Sequence, residues 1–461
     1  MTLTTFMKRK MEATIERWLD EDSSHPLLIR GVRRCGKTTT IEKVGRERFG
    51  EGFVKLDFQT ELESIERIFD GPTDNADRIV ATLSDYKRIP ITRERCLLFF
   101  DEVQLSERAL NSLRFFADSG WRVIASGSLL GVTSNRRTLP FPSGVRQVEM
   151  HPMDFEEWLW AMGETPMADA IHAHFESMEP YVAHEEALLL YHRYLVLGGM
   201  PKVVSQYLET RDLEQARVEQ AEIDATYTAD ITNPTFNMSG VSAKRIWDSL
   251  PKQLLRSSTK KFKYADVIRG GRRQRLLEPL EWLNASGVVT ICDMTQSTEM
   301  PLSPFDQEEG SFFKVYAADT GILFYKFGLD PQFFLNVVDA GETLASSDFR
   351  GALAENFVAQ MLSARDLISY YWTPPSSWGA TGELDFLLQT THAEIVPIEV
   401  KSARNVRAKT LASFVRHAGV SYSYRLSEKQ FGRETMPDEN TELRSVPLYA
   451  AFCLGDGCVR R

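Results

Sequence analysis

The sequence predicts an α/β protein whose first third is a parallel sheet covered by helices on both faces, with further modules behind it. Three observations predict this. Short apolar runs at 26–30, 53–57, 96–100, 121–125 and 145–149 are separated by stretches of helical periodicity, as buried parallel strands with crossover helices require. The first run leads directly into a glycine-bracketed loop and then a helix. At 461 residues the chain exceeds what one hydrophobic core sustains, so about two to four domains are expected.

The totals exclude some classes. With 43% hydrophobic and 26% charged residues the composition is that of a soluble globular protein. No apolar run approaches the roughly 20 residues that span a bilayer, so no membrane partner is expected. Lys8, Arg9, Lys10, Glu12 and Glu16 interrupt the amino terminus where a signal peptide needs an apolar core, leaving an amphipathic helix. Cys35, Cys96, Cys292, Cys453 and Cys458 lack the paired spacing of a zinc site or a disulfide scaffold. A reducing, cytoplasmic location is the expectation. The net charge of −10 argues against a chain coated in nucleic acid, although it averages over domains.

The loop Gly31-Val-Arg-Arg34-Cys35-Gly36-Lys37-Thr38 follows a strand and opens a helix, the context a phosphate-binding loop requires. Its backbone, from Gly31 through Arg34, Cys35 and Gly36 to Thr39, would turn N–H groups toward the phosphates of ATP, and the helix adds its positive end. Lys37 would reach the β- and γ-phosphates and Thr38 would ligate Mg2+. A second strand ends in Asp101-Glu102, where strand ends line a ligand crevice. Asp101 would hold the magnesium and Glu102 polarise the attacking water. A third strand ends in Ser126-Gly127-Ser128, whose hydroxyls suit a γ-phosphate sensor. Arg136, Arg137 and Arg146 are the candidates for the arginine that neutralises transition-state charge, Arg146 first among them.

From Asp154 to about Met238 the pattern is helical and suits a lid beside the nucleotide. From Val241 onward, three helical stretches and two strand-like ones, 288–292 and 312–315, fit a winged-helix domain. Between Lys244 and Glu278 eleven basic residues, from Lys244 to Arg275, face three acidic ones. That excess would suit DNA or RNA phosphates; a protein-packing role is the alternative.

In the last quarter Asp385 and Glu399-Val-Lys401 fall on successive strands, and Glu355 lies on a helix of apolar residues. Residues two apart on a strand share a face, so Glu399 and Lys401 can converge with Asp385. Two carboxylates and a lysine suit a second metal site for phosphodiester hydrolysis; a half-buried salt-bridge cluster is the plain alternative.

With these segments in order the chain resembles the prokaryotic AAA-type ATPases that join a P-loop domain to a carboxyl-terminal domain of unknown function. The marks are Gly31–Thr38, Asp101–Gln104, Ser126–Ser128, His151–Phe155, Gly198–Pro201, Asp319–Ile322, Ala354–Phe357 and Glu383–Asp385 through Glu399–Lys401. The resemblance implies an α/β P-loop NTPase sheet with a helical lid, then a winged-helix domain and a restriction-endonuclease-like α/β domain. The expected boundaries are 1–153, 154–240, 241–345 and 346–461. The expected activity is Mg2+-dependent ATP hydrolysis driving a conformational switch of the later modules. An ATP-regulated DNA nuclease and a nucleotide-binding adaptor without turnover remain alternatives, as do a protein partner and a homo-oligomer.

Overall fold

In the computed structural model the first sheet is built from β1 (Leu27–Arg30), β2 (Phe53–Asp57), β3 (Leu97–Asp101), β4 (Arg122–Gly127) and a later strand. Two-residue strands β5 (Thr133–Ser134) and β6 (Arg137–Thr138) pair with each other, and β7 (Arg146–Glu149) completes the sheet. The order is β2-β3-β4-β1-β7, every neighbouring pair parallel. All five apolar runs are strands within a residue or two of their expected bounds. The helices are α1 (Lys10–Asp20), α2 (Lys37–Phe49), α3 (Leu62–Glu66), α4 (Ala76–Lys87) and α5 (Glu107–Ser112). Leu28, Val54, Leu56, Leu98, Phe100, Val123 and Ala125 point from the strands into one core with Ile79, Val80 and Leu83 of α4 and Leu110 of α5. Their burial removes the strands' apolar surface from water, the main force holding this layer together.

The structure describes residues 7–21, 25–69, 74–129, 133–134, 137–138, 142–234, 239–256, 260–305, 312–342, 347–378, 382–402, 409–436 and 440–461. They divide into two units, the first built on Met1–His151, the second on Pro152–Thr232, Ser239–Asn284 and Val288–Arg461. The three later domains expected from the sequence therefore fold as one body.

That second unit starts with α6 (Phe155–Met162), α7 (Thr165–Ser177), α8 (His184–Leu197), α9 (Pro201–Thr210) and α10 (Leu213–Thr232). Next come α11 (Gly240–Leu254), α12 (Tyr264–Val267), α13 (Arg273–Ala285), β8 (Val289–Thr295) and β9 (Phe313–Ala317). Helices α14 (Thr320–Phe327), α15 (Pro331–Asp339) and α16 (Ser347–Ala364) lead to β10 (Ser369–Trp372), β11 (Leu384–Gln389) and β12 (Ile395–Val400). The chain ends in α17 (Lys409–Ala418), β13 (Tyr422–Ser427), β14 (Gly432–Thr435) and β15 (Glu442–Pro447).

Two features describe how the segments expected as separate domains pack within the second unit. The β8–β9 pair joins a larger sheet: β8 also pairs in parallel with β10, giving one eight-stranded sheet in the order β14-β15-β13-β12-β11-β10-β8-β9. The sheet runs on across position 345. Helices α6 to α10, expected as a lid, fall within the second unit. Phe155 of α6 and Tyr194 of α8 meet Phe357 of α16 edge to face, at 6.1 and 5.4 Å, so these helices are bound into the second unit by its aromatic core.

Two of the sequence marks explain each other here. Asp319 caps α14 by accepting from Ile322 N–H at 2.9 Å, and its other oxygen accepts from Gly199 N–H at 2.7 Å. A Cβ on Gly198, φ 73°, would stand 2.2 Å from Asp319 Oδ1. Glycine is needed there for the turn and for the close approach.

Candidate nucleotide site and carboxyl-terminal cluster

The loop leaves the carboxyl end of β1 and enters α2 through Gly36, φ 103°, with no side chain capping the helix. A Cβ on Gly31 would lie 2.0 Å from the Met150 carbonyl oxygen, so only glycine lets the loop start there. Lys37, 4% exposed, donates to the Gly31 and Val32 carbonyls at 2.8 and 3.0 Å, holding its ammonium inside the loop. Cys35 is buried, with its thiol 3.3 Å from the Met150 carbonyl, and Arg34 and Thr39 are exposed at the loop's rim.

The parallel register brings the other residues to the same end. Asp101 closes β3 beside Ser126 of β4, and Thr38 begins the helix after β1, the neighbour of β4. Thr38 and Ser126 both donate to Asp101 Oδ1, at 2.9 and 2.6 Å. Glu102 takes φ 57°, an uncommon backbone for a residue with a Cβ, and Ser128 and Gln104 hold its carboxylate at 3.0 and 2.5 Å. Gly31, Gly36, Lys37, Thr38, Asp101, Glu102, Ser126 and Ser128 thus form one constellation. The glycine-built cradle and converging oxygen donors fit a triphosphate and its magnesium.

Arg146 is not part of it. It starts β7 beside Leu27, at the amino end of the strands, and pairs there with Glu21. Arg136 lies outside the described residues, as does the side chain of Arg137.

Sequence reasoning missed two residues at this site. Lys55 of β2 reaches Asp101 Oδ2 at 2.8 Å and Glu42 at 2.9 Å. Burial would lower its pKa, but these two carboxylates outweigh burial and raise it. The signal was present: Lys55 and Asp57 share a face two residues apart on a strand paired with β3. Arg9, 5% exposed, donates to the Cys35 carbonyl at 2.6 Å and the His151 carbonyl at 2.8 Å, tying the chain before α1 to the loop.

In the second unit Asp385, Glu399 and Lys401 do converge on adjacent antiparallel strands. Lys401 pairs with Glu399 at 2.9 Å, and Asp385 Oδ2 accepts from Val400 N–H at 2.7 Å. Glu355 of α16 is near, but two lysines accompany it. Lys314, fully buried on β9, lies 2.8 Å from Glu355, 2.5 Å from Glu383 and 3.9 Å from Asp385, while Lys260 closes on the other Glu355 oxygen. Tyr316, two residues along β9 from Lys314, donates to Glu355 at 2.5 Å. Burial opposes it, yet Lys260 and Lys314 hold Glu355 down at about 2, whereas burial and Glu355 push Asp385 up to about 6.

The expected second metal site at Glu355, Asp385, Glu399 and Lys401 thus has two lysines, Lys260 and Lys314, paired with its helix-borne carboxylate. Among the described residues no three His, Cys, Asp or Glu side chains gather to hold a metal ion, and the positive charge these carboxylates need comes from lysine. The polar alternation of Lys314 and Tyr316 within an otherwise apolar strand was the overlooked signal.

The basic run is also less uniform than its composition. Lys244 pairs with Asp248 and Arg256 with Asp266, and Lys260 is turned inward on Glu355. Arg245, Lys263, Arg269, Arg272, Arg273 and Arg275 are exposed.

The strand–loop–helix cradle, with an acidic pair closing the strand next but one, defines a P-loop nucleotide-binding domain. Residues 23–159 match the AAA domain family, 188–332 a domain of unknown function (DUF8612), and 350–445 another (DUF4143). The chain therefore joins an AAA-family domain in its first third to a domain of unknown function nearer its carboxyl end. A relative, the uncharacterized protein MJ1544 of Methanocaldococcus jannaschii, is 24% identical over 178 residues, 38% of this chain and 35% of that protein. This chain thus spans about a third of the relative's length. Among solved structures, CDC6P of Pyrobaculum aerophilum aligns over 72% of this chain and 96% of its own, at 12% identity and a TM-score of 0.27. A Pyrococcus horikoshii signal transduction ATPase with numerous domains aligns over 78% and 48%, at 14% identity and a TM-score of 0.27. No helix among the described residues is long and apolar enough to cross a membrane.

Proposed function

We propose that this chain binds ATP with magnesium at Gly31–Thr38 and hydrolyses it, and that turnover switches the conformation of the carboxyl-terminal unit, which contacts nucleic acid. The observation that carries the reading is the convergence of Thr38 and Ser126 on one oxygen of Asp101. Lys37 and the amides from Arg34 to Thr39 would bind the phosphates; Thr38 and Asp101 would hold Mg2+. The metal, when bound, supplies charge neutralisation for the phosphates. Glu102, held by Ser128 and Gln104, is the group that orients and polarises water, and Ser126 and Ser128 couple it to Asp101. The neutralising arginine would come from another subunit or a partner, since Arg146 stands at the far end of its strand.

Helices α11–α13 ahead of β8 and β9 suit a winged-helix module, and its exposed arginines suit phosphates. The sheet around Asp385 and Glu399 suits a restriction-endonuclease-like fold in which Lys314 takes the place of the metal. The lysine favours a holding role over the nuclease alternative.

Glu102→Gln tests the catalytic part. It should bind ATP like the wild type and release phosphate at least about a hundredfold more slowly, the scale of losing a positioned general base. Unchanged phosphate release would remove Glu102 from the mechanism.

A further inference from the structure

A cavity of about 300 Å³ opens in the second unit, lined among others by Lys261, Gln296, Phe305, Phe312, Tyr371 and Glu383. Two of its walls are aromatic: the Phe305 and Phe312 rings meet edge to face at 5.1 Å. The Lys261 ammonium lies 3.7 Å from the Phe312 ring centre. Glu383, also in the lining, is fixed by buried Lys314 at 2.5 Å. Tyr371 is 1% exposed, and its hydroxyl has no hydrogen-bond partner among the described residues. Burial and then Glu383 push that phenol far up, so it stays a donor at every working pH.

A buried hydroxyl left unpaired costs stability, and such groups are kept where something else completes them. The lining narrows what that is. A simple anion would face Glu383, and an aliphatic ligand would leave the phenol unmet. A flat heterocycle with donors and acceptors on its edge, tied to a phosphate, meets the Phe305 ring face, Glu383, Tyr371 and Lys261 together. The volume admits one such group.

We infer that this cavity binds one base of a single-stranded nucleic acid, stacked on Phe305 with Phe312 as the perpendicular side wall, Tyr371 and Glu383 reading its edge and Lys261 facing its phosphate. The inference extends the nucleic-acid contact of the proposed function and rests on it.

Fluorescence anisotropy of the full chain tests it, with a labelled single-stranded oligonucleotide, its abasic counterpart and a duplex of the same sequence. The base-containing strand should bind roughly 5- to 150-fold more tightly than the abasic one, the factor that base stacking on aromatic rings supplies. The duplex, whose bases are paired and stacked, should bind like the abasic strand. Phe305→Ala should erase the preference. Should that variant fold poorly, Tyr371→Phe decides: it removes only a hydroxyl without a partner, so it should melt no lower than wild type while weakening the base-containing strand alone. Equal affinity for intact and abasic strands would overturn the base site yet leave the backbone contact standing. Binding of neither would overturn both.

Discussion

Lys55 holds the same carboxylate that Thr38 and Ser126 approach: its ammonium lies 2.8 Å from Asp101 Oδ2, while both hydroxyls bond Oδ1. A cation already neutralises Asp101, and magnesium entering the site would compete with it. Lys55→Met should therefore lower the half-saturating Mg2+ concentration, roughly two- to tenfold for a partly buried ion pair. A magnesium titration of ATP binding at fixed nucleotide reads this. An unchanged midpoint would mean that the pair is only structural.

Arg9 acts on the loop from outside the motif. Its guanidinium bonds two carbonyls, Cys35 and His151, that bracket the loop's start and the end of the first unit's chain. Arg9→Ala frees both and should loosen ATP binding several-fold, since charged hydrogen bonds contribute about 1.5–3 kcal/mol each to local order. Hydrogen exchange of the Cys35 and Gly36 amides should rise with it. Protected amides and wild-type affinity would show that α1 does not brace the loop.

Lys314 is the central charge of the carboxyl-terminal cluster. Lys314→Met would leave Glu355, Glu383 and Asp385 sharing a buried site with less positive charge, at a cost of about 3–5 kcal/mol. Adding Glu355→Gln should restore part of the loss, because the two residues are in contact and their effects are not additive. Urea unfolding of the two variants measures it. A double variant weaker than Lys314→Met by the full cost of Glu355→Gln would show independent roles.

The pH dependence has two opposed parts. Burial pushes Asp319 up to about 6, only partly offset by the Gly199 and Ile322 amides. Its folded form holds the proton more tightly, so the contribution is most favourable below the ordinary 3.8 and is lost as pH rises through about 6. Glu355, held at about 2, contributes stability above the ordinary 4.5 that disappears as pH falls toward 2. Asp319→Asn should flatten the fall in stability between about pH 4 and 6, leaving the share due to Asp385, also near 6. It should also cost about 1–3 kcal/mol throughout by misplacing one acceptor. An unaltered slope would clear Asp319 of the effect.

The strands and the nucleotide constellation were legible because both are local. Cys96–Phe100 is apolar without interruption, and Gly31–Thr38 carries its own turn, cation and helix start within eight residues. What was not legible depends on chain segments far apart in sequence. Nothing near Lys314 announces Glu355, 41 residues on, nor does Val289–Thr295 announce its parallel partner Ser369–Trp372. Binary patterning tells which face of a strand is buried, not which strand lies next to it. Lys260 consequently counted toward the basic run, whereas it is a partly buried counter-ion of Glu355 beside the fully buried Lys314. The one site residue misplaced in the first unit, Arg146, was placed by its order in sequence, which ignores which end of the strand it occupies.

Lys37 is the cation on which phosphate binding at the proposed ATP site depends. Equilibrium binding of a fluorescent ATP analogue with Mg2+ to the wild type and to Lys37→Ala tests this most directly. A loss of affinity of about a hundredfold or more is predicted, because the ammonium that contacts Gly31 and Val32 would be absent from the phosphates as well. Wild-type affinity in Lys37→Ala, with the variant folded, would contradict the ATP site and the switch built on it.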